Sequence, residues 1–430
     1  MLQPAGEPIP APPPDPELEE SGGLFLLEPS RQILSSFLAP RGWRLLEAYP
    51  TQALYRPSRS CLVRYLVRAA PPAGPPRYLT LCVRERKGLA SYLPPPPDFE
   101  DRFGLADPLD VRGDLAIWAY PYDPALASLP DAAHGRTVRR VAGSEGPVAV
   151  SPTAVAYRPG MRAAFRYTVL GARGRGDVFY GKSVGKDASL RIFDAYESFR
   201  GAGVRVAQPV AADGVPGLVF FPSIGGTSLD DRLTRGGDLP SPARIVRLIQ
   251  RLAGSEWTGT CDPDKPDVQI RSAGHLLAHI LPHRRHEIRD AYRALAELSA
   301  RIPRDGTVHG DLYESQIFAD ERGSLGLIDL EDGGLGDPLM DAANMLAHLT
   351  VMHYFVPEAG GRPAAYRVLM RKAVLEGLGA SEWELDWREA YALLMLATGP
   401  FRVLRPHWIP ESEDRLDSAL QVLAASRLAA

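Results

Sequence analysis

The spacing of apolar residues divides this chain into two strand-rich blocks and a long helical stretch. Residues 1–16 are proline-rich with nothing to bury, which predicts a disordered or extended tail. A short helix at Ser30–Phe37 then leads into strand-like runs at Leu45–Tyr55, Cys61–Val67, Tyr78–Val83 and Leu115–Tyr120, with a proline run at Pro94–Pro97 between the last two. A second block repeats this order: a helix over Arg136–Ala142, a strand at Val178–Val184, a helix at Leu190–Arg200 and an apolar strand at Leu218–Phe221. From Ser228 onward the apolar period becomes three or four, as at Ile245, Leu248 and Leu252 and at Leu295, Leu298 and Ile302, the mark of core-facing helices. Helices are expected at Pro242–Ala253, Ala273–Ile280, Arg284–Ala300, Pro338–Leu349, Pro363–Leu378, Trp387–Ala397 and Ser412–Ala425.

The two blocks are a duplication. Tyr55-Arg56-Pro57 with Arg64-Tyr65 recurs as Tyr157-Arg158-Pro159 with Arg166-Tyr167, and Pro108 and Pro121 recur as Pro209 and Pro222, at a nearly constant offset. In the second copy, the strand Val178–Val184 carries Lys182 and the helix after it presents Glu197. In the first copy, one of Thr80, Leu81 or Cys82 is expected opposite Lys182, and the proline run replaces most of the helix. The first copy therefore reads as a degenerate version of the second, suited to docking or substrate coverage.

Composition narrows the class. With 430 residues, 45% hydrophobic and 23% charged, and a net charge of −3, two or three soluble units are expected, without the positive excess that nucleic acid would require. No run of 18 apolar residues suggests a membrane span, and the first residues lack the charged-then-apolar order of a signal peptide, so a cytoplasmic location is expected. Cys61, Cys82 and Cys261 are an odd set without metal spacing, as in a reducing compartment. Lysine is scarce (Lys87, Lys182, Lys186, Lys265 and Lys372), which makes an internal strand lysine conspicuous.

The chemistry concentrates between Thr307 and Leu346. Val308 ends an apolar run, His309-Gly310-Asp311 opens a polar loop that closes at Gln316, and short strands at Ile317–Ala319 and Leu325–Ile328 flank the turn Asp320-Glu321-Arg322-Gly323-Ser324. Asp311, Gln316 and Asp329 then lie at the ends of adjacent strands. One carboxylate can orient and deprotonate a hydroxyl, while an amide oxygen and a second carboxylate offer hard ligands to Mg²⁺, the needs of phosphoryl transfer.

His309-Gly310-Asp311 with an amide five residues on, Leu327-Ile328-Asp329, and Gly336-Asp337-Pro338 together resemble the aminoglycoside phosphotransferase and choline kinase family; that family usually has Asn where this chain has Gln316. The resemblance implies an α+β, protein-kinase-like bilobal fold: a nucleotide lobe at residues 144–227, a helical lobe at 228–430, and an extra degenerate lobe at 24–143 after the tail. It implies Asp311 as catalytic base, Lys182 on the nucleotide phosphates with Glu197 fixing it, and Mg²⁺ on Gln316 and Asp329. Ser223-Ile224-Gly225-Gly226 would form the hinge that meets adenine.

Around this centre, His309 is expected to brace the loop, Asp332 to assist the metal, and Asp337 to cap the helix that Pro338 opens while steadying the loop. Asp337 and Asp332 share an acidic cluster with Glu331 and Asp341. Glu314, Arg402 and Arg405 are the acceptor candidates; His348 and His353 lie near the same region without the spacing of a metal site. The turn Arg158-Pro159-Gly160-Met161-Arg162 takes the place of a phosphate-covering loop without its glycines, and a structural role is expected for it. The function implied is ATP- or GTP-dependent phosphorylation of a small-molecule hydroxyl, such as an aminoglycoside, sugar or amino alcohol. The alternatives are a kinase-like enzyme acting on peptide Ser or Thr, and a non-catalytic binding module whose N-terminal repeat docks a protein partner.

Overall fold

The computed structural model describes residues 8–89, 105, 107–135, 137–138, 149–170, 176–212, 214–257, 259, 265–302, 304 and 306–429. The expected Arg136–Ala142 helix and the Pro94–Pro97 run lie largely or wholly outside them. Helix α1 (Leu27–Leu38) precedes a five-stranded antiparallel sheet of β1 (Arg44–Arg56), β2 (Ser60–Ala70), β3 (Arg77–Arg86), β4 (Leu109–Arg112) and β5 (Leu115–Ala119), in the order β1-β2-β3-β5-β4. Helix α2 (Leu129–His134) leads to the second sheet, formed by β6 (Ala149–Arg158), β7 (Arg162–Leu170), β8 (Gly176–Val184), β10 (Val210–Ala211) and β11 (Leu218–Pro222). Its order is β6-β7-β8-β11-β10, strand for strand that of the first sheet. Helix α3 (Lys186–Gly201) and the short β9 (Arg205–Val206) fall between β8 and β10.

Register corrects one expectation. Ser60 pairs with Arg86 and Leu62 with Arg84, whereas Arg162 pairs with Val184 and Ala164 with Lys182. Counted from the equivalent turns Arg56/Ser60 and Arg158/Arg162, the counterpart of Lys182 is Arg84, not Thr80, Leu81 or Cys82. The β2–β3 hairpin is the longer of the two, and a fixed sequence offset cannot see that.

The helical lobe contains α4 (Leu229–Arg235), α5 (Pro242–Ala253), α6 (Lys265–Ile280), α7 (Arg285–Ser299), α8 (Pro338–Phe355), α9 (Arg362–Leu378), α10 (Glu382–Leu396), α11 (Gly399–Arg402) and α12 (Trp408–Ala429). Each apolar stripe is buried as its period requires; in α5, Ile245, Val246, Leu248, Ile249 and Leu252 face the core, each such side chain contributing about 1.5–3 kcal/mol. Strands β12 (Thr227–Ser228), β14 (Ile317–Ala319), β15 (Leu325–Leu327) and β9 form a small sheet, and β13 (Gly306–Val308) pairs with β16 (Gly334–Gly336).

The first sheet is covered on both faces. Tyr65, Val67 and Val83 join α1 and the helical lobe through Trp387, Phe401 and Trp408. Leu62, Cys82 and Trp118, on the other face, pack with Tyr157, Phe165 and Phe220 of the second sheet. That double burial explains why Cys61–Val67 reads as a nearly unbroken apolar run. The tail is also corrected over residues 8–16. Trp408 Nε1 donates to the Pro10 carbonyl at 2.9 Å, and buried Asp15 accepts from the Tyr55 hydroxyl at 2.8 Å and the Ser58 amide at 2.7 Å, so this stretch is extended but docked. No helix among the described residues is long and apolar enough to cross a membrane.

Candidate active site

Pairing of β13 with β16 and of β14 with β15 brings the ends of four short strands to one place, from which the loop residues emerge. The loop is held by its backbone. Buried Asp341, one turn into α8, accepts from the His309 amide at 2.7 Å and the Gly310 amide at 2.9 Å. His309 Nε2 meets the Ile328 carbonyl at 2.8 Å, tying the loop to the strand end before Asp329. Gly310 has φ +81°, and a Cβ there would stand 2.1 Å from the Asp332 carbonyl oxygen, so only glycine lets the two loops cross. Asp329 itself is left-handed at φ 69°, a strained conformation that its short polar side chain tolerates better than most.

Asp311 lies beside Asn344, whose Nδ2 donates to its Oδ1 at 3.4 Å and to the Leu312 carbonyl at 3.1 Å. Burial, then the neighbouring Asp332 charge, raises the Asp311 carboxyl above its ordinary value. Gln316 Nε2 donates to Asp329 Oδ2 at 3.1 Å. Lys182, projecting from β8, donates to Asp329 Oδ1 and, at 2.5 Å, to Glu331 Oε2. Burial would lower this ammonium, but Glu331 and Asp329 outweigh it and hold it above its usual range. Burial likewise works to raise the Asp329 carboxyl, and Lys182 and Arg162 more than offset it, so it stays far below the usual carboxylate range. Arg162, just after the β6–β7 turn, donates to Glu331 at 2.5 Å and lies 3.7 Å from Asp329.

The sequence-predicted residues thus divide. Lys182, Asp311, Gln316 and Asp329 converge, braced by His309. Asp332 contributes charge beside Asp311 and its backbone beside Gly310. Asp337 caps α8 through the Leu339 amide at 3.0 Å and pairs with Arg388 at 2.6 Å. Glu197 is not brought to Lys182: it lies on the wet face of α3 and pairs with Arg200, while Glu331 stands against the lysine. Arg402 is electrostatically coupled to Asp311, Arg158 and Arg162. Arg405 is committed to Glu411 at 2.7 Å.

Glu314 is buried at 6% exposure and its carboxyl is pushed up to about 8 by burial, so it is neutral at pH 7. His348, 3.9 Å from it and stacked on Tyr313 at 4.2 Å, is pushed down to about 3 by burial and Arg415. Both groups are uncharged near neutrality, so they form no ion pair. Asn344 had no sequence signal; Asp341 and Glu331 were visible only as part of an acidic cluster, and Arg162 only within a turn expected to be structural.

Residues 184–378 match the model of the phosphotransferase enzyme family. That segment, somewhat under half of the chain, resembles the family. It begins just beyond Lys182 and contains Asp311, Gln316 and Asp329, and it makes the chain a phosphotransferase. None of the curated proteins compared matches it. Among solved structures, a choline/ethanolamine kinase family protein from Mesorhizobium loti is 17% identical with a TM-score of 0.47, over 69% of this chain and 98% of that one. A choline kinase from Streptococcus pneumoniae is 17% identical with a TM-score of 0.45, over 68% of this chain and 99% of that one. A thermostable mutant of the aminoglycoside phosphotransferase APH(4)-Ia is 14% identical with a TM-score of 0.42, over 69% and 99%.

Proposed function

We propose that the protein transfers the γ-phosphate of ATP or GTP to a hydroxyl of a small molecule, in the cleft between the β6–β11 sheet and the helical lobe. The observation that carries this reading is the meeting of Lys182, from the sheet, with Asp329, from the lobe, beside a half-buried Asp311. Lys182 binds the nucleotide phosphates as a fixed positive charge. Asp311, its basicity raised by burial, orients the acceptor hydroxyl and takes its proton on a carboxylate oxygen.

The residues fit Mg²⁺. Gln316 and Asp329 offer hard oxygen donors, and among the described residues no group of three or more His, Cys, Asp or Glu forms an all-protein cage. Mg²⁺ is commonly held in that way, by one or two protein ligands with the substrate's phosphates supplying the rest. The Gln316 amide, although its nitrogen meets Asp329 here, carries an acceptor on the same planar group. Gln316 and Asp329 would hold the ion, which supplies charge neutralisation to the phosphoryl oxygens. Burial of most of both faces of the first sheet within the chain leaves little of it open for the protein docking that a non-catalytic binding module would use.

Thermal unfolding with Mg²⁺ and ATP or GTP tests the nucleotide site. Binding to the folded state alone adds about 2.7 kcal/mol at a hundredfold excess over Kd, and Asp329→Ala should abolish the shift. Asp311→Ala should keep it while lowering turnover on a hydroxyl acceptor by about 10²–10⁴-fold. A wild-type protein that shifts with neither nucleotide, or an Asp311→Ala variant with equal turnover, refutes the assignment.

A further inference from the structure

A cavity of about 410 Å³, lined by none of Lys182, Asp311, Gln316 or Asp329, lies between the first sheet and the edge strand β6 of the second. Its lining includes Thr51, Gln52, Arg64, Thr80, Arg158 and Val403. Three features distinguish it from a packing gap.

The first is backbone. Neighbouring residues of a regular strand point to opposite faces, yet Thr51 and Gln52 both line the cavity, because β1 shifts register between Pro50 and Gln52. Strand β6 shifts between Ala154 and Ala156, and Ala154, Val155 and Ala156 all reach the same space. Two irregular strands thus turn extra side chains into one hollow.

The second is charge. Arg64 spends Nε on Thr51 Oγ1 at 3.0 Å and Nη1 on the Tyr157 carbonyl, both neutral, and burial lowers its guanidinium from the ordinary value. Among the described residues, neither Arg64 nor Arg158 has a carboxylate partner, and no acid lines the cavity. Two cations facing one hollow without a counter-ion call for an anion.

The third is an unmet acceptor. Gln52 is 7% exposed and lies opposite Arg64 across β1 and β2, and its Oε1 is buried with no hydrogen-bond partner. A buried acceptor left unpaired costs about 1–3 kcal/mol, which a ligand donor would recover.

We propose that this cavity is a binding site for a small hydroxylated oxyanion, whose carboxylate or phosphate sits between Arg64 and Arg158 and whose hydroxyl donates to Gln52. Calorimetry on the full chain with glycerol 3-phosphate, D-glycerate and uncharged glycerol tests it and separates the two oxyanion sources. Saturable binding is expected for at least one charged probe and not for glycerol. Arg64→Ala should weaken it at least about tenfold, the loss of one hydrogen bond to a charged group. Gln52→Leu, which keeps the arginines and removes the acceptor, should weaken it less, and serves if Arg64→Ala fails to fold. Lys182→Ala, which strikes the nucleotide cleft, should leave the affinity unchanged. The proposal falls if neither charged probe binds wild type, if glycerol binds as well as they do, or if binding survives Arg64→Ala and Gln52→Leu but disappears with Lys182→Ala.

Discussion

Lys182 and Arg84 occupy the same register position on the third strand of two sheets with the same strand order, and their surroundings differ in one respect that decides their use. The helical lobe supplies Asp329 and Glu331 to Lys182, in a cleft that stays open to solvent at its edge. Arg84 instead has Asp123, from its own unit, as its main compensating charge, with the Trp118 ring 5.9 Å away. Asp123 is 2% exposed and accepts from the Tyr157 hydroxyl and the Gly160 amide, both at 2.8 Å. The first sheet thus keeps a cation but spends its counter-charge on holding the β6–β7 turn of the second. Replacing an open, acid-lined cleft by a buried internal acid would convert the phosphate-handling position proposed for Lys182 into a structural one.

The sharpest way to break that comparison is to neutralise the two cations in turn. Lys182→Met should lower kcat/KM by at least about a hundredfold, as loss of a charge aimed at a transferring phosphoryl group does. Arg84→Met should leave kcat/KM nearly unchanged and register in denaturant unfolding. If Arg84→Met is as inactive as Lys182→Met at unchanged stability, the two positions are functionally alike and the contrast fails.

Asp123 is next in expected effect. Asp123→Ala strands the Tyr157 hydroxyl and the Gly160 amide together and removes the acid that compensates Arg84, at a cost of about 1–3 kcal/mol for each unpaired donor, measurable as a lower denaturation midpoint. Because the turn it pins carries Arg162 into the cleft, the KM for nucleotide should rise as well. An unchanged midpoint would mean that the second sheet holds its turn without the first.

A milder effect separates the acceptor side of the cleft from the nucleotide side. Glu314 titrates near 8 when folded and near 4.5 when unfolded, so the folded state retains a proton that the unfolded state has released. Its contribution is fully present below pH 4.5 and lost as pH rises to 8. His348 titrates near 3 when folded against 6.5 unfolded, so its contribution is present above pH 6.5 and lost as pH falls towards 3. The two slopes oppose each other between pH 4.5 and 6.5, leaving the alkaline side to Glu314 alone. Tm should therefore fall between pH 6.5 and 8 in wild type and fall less in Glu314→Gln; equal slopes would show that Glu314 is already ionised in the folded protein.

Much of this was legible in the residues. Period-two and period-four patterns located the strands and helices, with Pro242–Ala253 and Ile317–Ala319 matching to the residue, because a stripe that must be buried leaves few choices of element. The placement of Asp311, Gln316 and Asp329 at strand ends was legible because turn residues and short strands fix where a loop begins and ends. Arg84 was not, since hairpin length moves register without leaving a trace in identity. The docking of residues 8–16 was hidden because prolines can pack by shape, and the anion cavity because a register shift in a strand depends on its neighbour.

Glu197 is where the pattern misled, and it carries the smallest expected effect. Its spacing from Lys182 suited a helix acid reaching a strand lysine, but on α3 the side chain falls among solvent-facing positions, 53% exposed, beside Arg200 at 62%. A pair so exposed is screened by solvent and contributes little. The acid that meets Lys182 is Glu331, with only 7% of its side chain exposed. Glu197→Ala should therefore change kcat/KM and stability little, while Glu331→Ala should impair turnover by leaving Lys182 mispositioned. Steady-state kinetics on the two variants decides the matter: a large loss with Glu197→Ala and none with Glu331→Ala would mean that α3 swings its acid onto the lysine when nucleotide binds.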